Sequence, residues 1–224
     1  MQPTRTLWND FPDVIIHVPE SSVKKHTDYE EAKKGDPDAA FRLVRSTISS
    51  DAVEQIERLM AGRKIFPASI HAVEKYGVNA IPEALADELA ARLGCLVDGS
   101  IVQVNVVGHT GADGYSRLAR QALFDGLVDD FVGQGGTLAN FKGYIESKGG
   151  NVVGATVLTG KPYSARLTPT KDQLLQLRAK HESLEEWWKI RFGYGFDSLT
   201  QSEARYLEHS PDADTIRNRV IASE

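Results

Sequence analysis

The sequence predicts an α/β fold with a mostly parallel central sheet flanked by helices, and with additional N- and C-terminal helical elements. Three observations carry that expectation. The stretch LVDDFVGQGGTL, Leu127 to Leu138, reads as a strand, an acidic pair, a glycine turn and a helix start. The following NVVGATVLTG is apolar on both faces, as a strand inside a parallel sheet is. An earlier strand–helix–strand order runs from Arg63 to Val107. Repeated units of this kind imply right-handed crossovers within one sheet.

Taken in order, residues 1–62 form an N-terminal extension with one strand candidate, Val14 to Val18. Gly35, Asp36 and Pro37 mark a turn-rich stretch after it. One helix then carries Phe41, Val44 and Ile48 on a face. A second starts at Asp51, with Glu54 as a capping-box variant, and buries Val53, Ile56 and Leu59. The core, residues 63–163, opens with RKIFPASI as a strand, although Pro67 ordinarily marks a strand edge or end. HAVEKYGVNAIP is a loop, and Pro82 pre-sets the next helix. Leu85, Leu89 and Leu93 line that helix, and Gly94 ends it.

A strand follows from Ile101 to Val107, then the glycine-rich loop GHTGADGY and the basic, partly helical SRLARQALFDG. Thr137 opens a helix with Leu138, Phe141 and Ile145 on one face, ending at Gly149 and Gly150. Residues 164–224 are read as a helical cap or oligomer contact. Thr170 begins one helix; Trp187, Trp188, Phe192, Tyr194 and Phe196 cluster as core; Thr200 with Glu203 forms a capping box; Ser210 and Pro211 start the last helix.

At 224 residues the chain suits one sizeable α/β domain, or one domain with a small subdomain. A net charge of -5 argues against a dedicated nucleic-acid binder. The single cysteine, Cys95, excludes an internal disulfide and a multi-cysteine zinc site. No apolar run reaches transmembrane length, and the N-terminus lacks a signal-peptide core, so a cytoplasmic location is expected.

The chemistry concentrates between Leu127 and Leu138. Gly133, Gly135 and Gly136 let backbone N–H groups turn toward a ligand without a Cβ in the way. A helix start adds unpaired N–H groups and the positive end of the dipole, which suit a phosphate. Asp129 and Asp130, at the expected strand's end, can accept hydrogen bonds from sugar hydroxyls. The alternative is a tight strand-to-helix turn with solvated acids. Neither the P-loop nor the dinucleotide glycine fingerprint fits this spacing.

VDDFVGQGGTL resembles the phosphoribosyl-diphosphate (PRPP) signature of type I phosphoribosyltransferases. The resemblance extends over roughly Arg63 to Tyr163, with Gly77 and Asn79 matching the Gly-x-Asn of the competence-associated members. It implies transfer of 5-phosphoribosyl from PRPP to a nitrogenous acceptor, a nucleobase, with release of pyrophosphate and with Mg²⁺ as cofactor. Asp129 and Asp130 would hold the ribose hydroxyls, and the metal through those hydroxyls or water. Phe131, Val132, Gly133, Gln134, Gly135, Gly136 and Thr137 would wrap the 5′-phosphate. Val73, Glu74 and Lys75 would form the pyrophosphate loop. Arg117 and Arg120, three apart and so on one helical face, would neutralise the leaving group, with an ordinary surface pair as the alternative. His109 would serve the same mobile loop or merely cap it. Lys161 and Tyr163 would contact the acceptor.

Two departures stand out. Gly133 and Gln134 occupy positions where the family often carries Asp or Thr, which removes a candidate base. Only Leu127 and Val128 separate Gly126 from the acids, where the family builds a full strand. Either a strand with its connecting turn, roughly ten residues, is missing between Gly126 and Leu127, or, in a continuous chain, the strand draws on Ala122 to Val128. A non-catalytic PRPP- or nucleotide-binding regulator, or an interaction protein on the same fold, is the alternative function. PRPP and a small-molecule acceptor are the expected partners, with a possible homodimer.

Overall fold

A computed structural model of the chain describes residues 3–69, 73–74, 77–99, 101–105, 107, 112–125, 131–132 and 135–224. An N-terminal strap leads into β1 (Ile15–Val18), then α1 (Glu20–Lys24), α2 (Tyr29–Lys33), α3 (Pro37–Thr47) and α4 (Ser50–Met60). Two short strands, β2 (Val73–Glu74) and β3 (Gly77–Val78), precede α5 (Ile81–Leu93). Next come β4 (Val102–Gln103), α6 (Gly114–Ala119), β5 (Phe124–Asp125), β6 (Phe131–Val132), α7 (Gly136–Ser147) and β7 (Thr156–Gly160). The chain closes with α8 (Lys171–Lys180), α9 (Leu184–Phe192), α10 (Gln201–Glu208) and α11 (Ala213–Ala222).

The caps explain where the helices begin. The side chains of Asp36, Ser49, Thr170 and Asp212 each accept a backbone N–H three residues on, satisfying one of the orphan donors of the first turn. The cap of α4 is thus Ser49 rather than Asp51, and that of α11 is Asp212 rather than Ser210. Thr200 and Glu203 make the full reciprocal capping box of α10. Gly94 ends α5 in the left-handed conformation, at φ 64°. The α3 face also differs from the expected one. Ala39, Ala40, Leu43 and Val44 are buried, while Phe41 stays exposed beneath the Arg45 guanidinium.

The expected mostly parallel central sheet flanked by helices does not form. Among the described residues helix greatly outweighs strand, and parallel pairing amounts to a three-stranded sheet of order β1-β7-β6 and one isolated bridge. The RKIFPASI segment makes one isolated bridge, Ala68 to Asp98, and Pro67 has no N–H to give a ladder. Among the described residues of the predicted strand from Ile101, Val102 and Gln103 pair antiparallel to β5, and the Val104 N–H donates to the Leu123 carbonyl at 2.9 Å. Beyond them, polar side chains take the backbone groups: Asn105 Nδ2 donates to the Gln121 carbonyl at 2.9 Å and Asn105 Oδ1 accepts the Leu123 N–H at 2.7 Å. The predicted loop before Pro82 contains the β2–β3 hairpin instead. The long apolar run after Gly150 becomes strand only from Thr156.

β7 is the middle strand. Ile15 pairs with Thr156 on one side, and Phe131 with Thr159 on the other. Alternation along β7 splits the interior. Leu158 packs with Leu43, Val53, Ile56, Leu85 and Leu89, whereas Val157 packs with Trp8, Leu138 and Leu167. A separate core gathers Trp188, Phe192, Tyr194 and Phe196 with Tyr115 and Leu118 of α6 and residues of α8–α11. Trp188 and Phe192 lie 4.5 Å apart between ring centroids, so the aromatic run is packing.

Candidate functional site at the carboxyl ends of β6 and β7

Parallel strands deliver their loops to one edge, and here that edge receives the glycine turn and the Lys161–Ser164 turn. Val132 is in register with Gly160, so the chain leaves β6 one strand spacing, roughly 4.8 Å, from where it enters Lys161. Gly135 caps α7 in the left-handed conformation, φ 78°, which a side chain rarely adopts. The helix begins at Gly136, with Thr137 second rather than first.

The first turn of α7 abuts the start of α10. A Cβ on Gly135 would come 2.5 Å from Leu167 Cδ2, and one on Gly136 would come 2.6 Å from Glu203 Oε1. Small residues are therefore needed here for packing as well as for dihedral freedom. A carboxylate beside a helix N-terminus is electrostatically favourable. Glu203 is not alone: Arg5 Nη1 and Nη2 reach its two oxygens at 2.6 and 2.9 Å. Arg5 also donates to Asn140 Oδ1 at 2.5 Å, to the Ser198 carbonyl at 3.2 Å and to Gln121 Oε1 at 3.3 Å, and it lies over the Tyr194 ring. Burial works against the Arg5 charge, but Glu203 and Tyr194 together outweigh it and the guanidinium pKa is raised. The same burial pushes the Tyr194 hydroxyl well up. Lys142, nearby on α7, donates to Thr6 Oγ1, the Leu7 carbonyl and Glu146.

On the other side of the edge, Tyr163 is 56% exposed. Lys161 Nζ lies 5.8 Å and Arg205 Cζ 5.2 Å from its ring centroid. Among the described residues no carboxylate pairs with Lys161 or Arg205; Arg205 Nη2 reaches only the Ser202 hydroxyl, at 3.2 Å. Arg205 and Arg5 carry no signal in the sequence, and Glu203 is marked there only as half of a capping box. The Thr200–Glu203 capping box was the one local signal near them.

The remaining expected site residues divide as follows. Lys75, His109, Asp129, Asp130, Gly133 and Gln134 lie outside the described residues. Val73 and Glu74 form β2, while Phe131 and Val132 form β6. The described strand at this motif is Phe131–Val132, and the Leu127–Val128 stretch before the acidic pair lies outside the described residues. Arg117 Nε donates to the Ala112 carbonyl, and Arg120 Nε to the Ser223 carbonyl beyond α11. Arg120 is the C-cap of α6, outside the helix proper. Among the described residues no three His, Cys, Asp or Glu side chains stand together as a metal site, and no helix is long and apolar enough to cross a membrane. At the opposite edge of the sheet, a cavity of about 520 Å³ lies between α4, α5 and α7, with Ile15, Ile56, Leu85, Phe141 and Thr156 on its walls.

The chain is 39% identical to a protein named TraN from Escherichia coli over 229 residues, 98% of this chain and 51% of that protein. It is 40% identical to an uncharacterized protein of Haemophilus influenzae over 154 residues, 64% of this chain and 34% of that protein. The chain therefore spans about half the length of the first relative and a third of the second. The 229-residue alignment is longer than the 224-residue chain, so the first relative carries residues with no counterpart here. No family model and no solved structure matches.

Proposed function

We propose that this chain binds PRPP at the β6–α7 turn and transfers its phosphoribosyl group to a nitrogenous acceptor, probed best with nucleobases. The observation that supports this reading is Gly135, left-handed at the head of a 12-residue helix, directly after a strand parallel to β7. That unit offers a phosphate the N–H groups and dipole of a helix start. The proposal does not depend on a larger sheet. In the reaction the C1–O bond to pyrophosphate breaks and a C1–N bond forms. The acceptor nitrogen loses its proton to the departing pyrophosphate or to solvent. Positive charge on the ribose favours nearby carboxylates, the role given to Asp129 and Asp130. Mg²⁺, held through the ribose hydroxyls or water, would offset the charge of the pyrophosphate.

A second reading, binding without turnover, has its own support. Gly133 and Gln134 stand where the resembled family often carries Asp or Thr, so the loop supplies no candidate base. The name TraN specifies no reaction and is compatible with either reading. Pyrophosphate release from PRPP with a panel of nucleobases decides between them. Release with at least one base, abolished in Asp130→Asn, supports transfer. PRPP protection against thermal unfolding without release on any base supports the binding protein. No protection by PRPP defeats both.

A further inference from the structure

We infer that the cavity between α4, α5 and α7 is a binding site for a linear amphipathic anion, an acyl chain of medium length whose carboxylate is held at the mouth by Arg63 and Lys64. The site goes beyond the phosphoribosyl reading, and its lining shares no residue with the glycine turn before α7. The first support is the space itself. About 520 Å³ is open between apolar faces of the three helices, β1 and the segment from Asn151 to Ala155. Small-molecule sites in proteins have volumes of this order and walls of this kind. Water against aliphatic walls finds few hydrogen-bond partners, and a void left empty forfeits dispersion contacts in proportion to its volume. A hydrocarbon guest restores those contacts without asking for a hydrogen bond.

The second support is where the charge lies. The charged side chains among the described lining residues are Arg63, Lys64, Asp98 and Lys142. Lys142 belongs to the wall, because it is buried and its ammonium already donates to Thr6 Oγ1, the Leu7 carbonyl and Glu146. Arg63 and Lys64 line the same space but are exposed, so they mark its opening. Two of the five Arg63 donors go to the Leu59 and Met60 carbonyls, at 2.7 and 3.1 Å, which sets the guanidinium at the end of α4. Lys64 Nζ lies 5.5 Å from the ring centroid of Phe66, itself exposed and on the same lining. Two cations against one carboxylate make the mouth positive, and a cleft with apolar walls focuses that field. The third support is the separation of the two ends. Ile56, Leu85, Leu89 and Phe141 are buried along the walls, while both cations of the mouth face solvent. A methylene takes about the room of a water molecule, about 30 Å³, so a tail of roughly twelve carbons fills most of the space and leaves its head group at the mouth. An unbranched tail also conforms to walls built from several elements, Met60 among them.

The test titrates the whole chain calorimetrically with saturated straight-chain carboxylates, below their micelle concentrations, beside alcohols of the same lengths. Affinity is expected to rise about fourfold per added methylene and to level off once the cavity is full, near roughly twelve to fourteen carbons. Dodecanoate should bind about three- to tenfold tighter than dodecanol, and that margin should shrink as salt rises. The double variant Arg63→Gln, Lys64→Gln should erase the margin and leave dodecanol binding as it was; both side chains are exposed, so the fold is expected to tolerate the change. Ala86→Phe puts a ring into the lining from α5 and should weaken dodecanoate and dodecanol alike, by about tenfold or more. No saturable binding at any length, an affinity that keeps climbing without a plateau, or equal binding of carboxylate and alcohol overturns the inference. So does a carboxylate preference that survives the double variant, or unaltered binding by a folded Ala86→Phe chain. Should Ala86→Phe fail to fold, the plateau and the double variant decide the matter by themselves.

Discussion

Replacing Arg5 by methionine should be among the most damaging single changes in this protein. The side chains of Arg5 and Glu203 are 1% and 3% exposed. Methionine has similar length but leaves the Glu203 carboxylate buried, with the Thr200 N–H at 2.8 Å as its remaining donor among the described hydrogen bonds. It also strips donors from Asn140, Gln121 and the Ser198 carbonyl. Removing one partner of a buried ion pair costs about 3–5 kcal/mol, because the other charge is stranded. That is a large share of a typical folding free energy, about 5–15 kcal/mol. With a urea dependence of about 3 kcal/mol per molar, the unfolding midpoint should fall by more than about 1 M. Glu203→Gln should lose a similar amount, since it strands the guanidinium while retaining part of the cap. The double variant Arg5→Met, Glu203→Leu should lose clearly less than the two singles together. A midpoint within about 0.3 M of the parent for Arg5→Met would refute the view that this network ties the N-terminal strap, α7 and α10 together.

Other tests reach different parts of the structure. His17 is buried, and burial lowers its pKa from 6.5 to about 4. The unfolded chain therefore binds the extra proton first, so stability should drop as pH falls from about 6.5 to about 4. The loss is on the order of 3 kcal/mol at most, and denaturant melts of His17→Asn across that range should show a flatter profile. Gly143→Ala should lower stability by about 1–3 kcal/mol or more, since the new Cβ would come 2.2 Å from the Thr4 carbonyl; an unchanged thermal midpoint would contradict the close crossing of strap and helix. Gly135→Ala should cost comparably, through its φ of 78° and its contact with Leu167, and should weaken PRPP protection if the turn holds the phosphate. Trp8→Phe removes the indole N–H that donates to the Leu199 carbonyl at 2.7 Å; a loss of about 1–3 kcal/mol is expected in urea melts.

Local chemistry was legible in the residues themselves. The Thr200–Glu203 cap, the left-handed Gly94 and the helix from Pro82 depend on neighbours a few positions away. Those interactions form whatever the distant chain does. The glycine turn was legible as a strand-to-helix junction for the same reason, with the helix start moved by one residue to Gly136. The extent of the sheet was not. Apolar runs at Arg63 and Ile101 satisfy the pattern of a buried strand, yet a strand exists only where another offers its ladder. Those partners are chosen by long-range packing, which gave β7 to β1, from the segment read as an extension.

What the sequence determined by itself was therefore most of the helices from α3 onward, the Thr170 and Thr200–Glu203 caps and the character of the turn before α7, because each is fixed by contacts within one or two turns of chain; α1 and α2, in the stretch read as turn-rich, were not legible there. Tertiary structure alone decided which strands pair, that Arg5 becomes a buried cation, and that Arg205 from α10 stands beside Tyr163 after β7. In each case the partners are brought together from far along the chain, and no short window of sequence records the meeting.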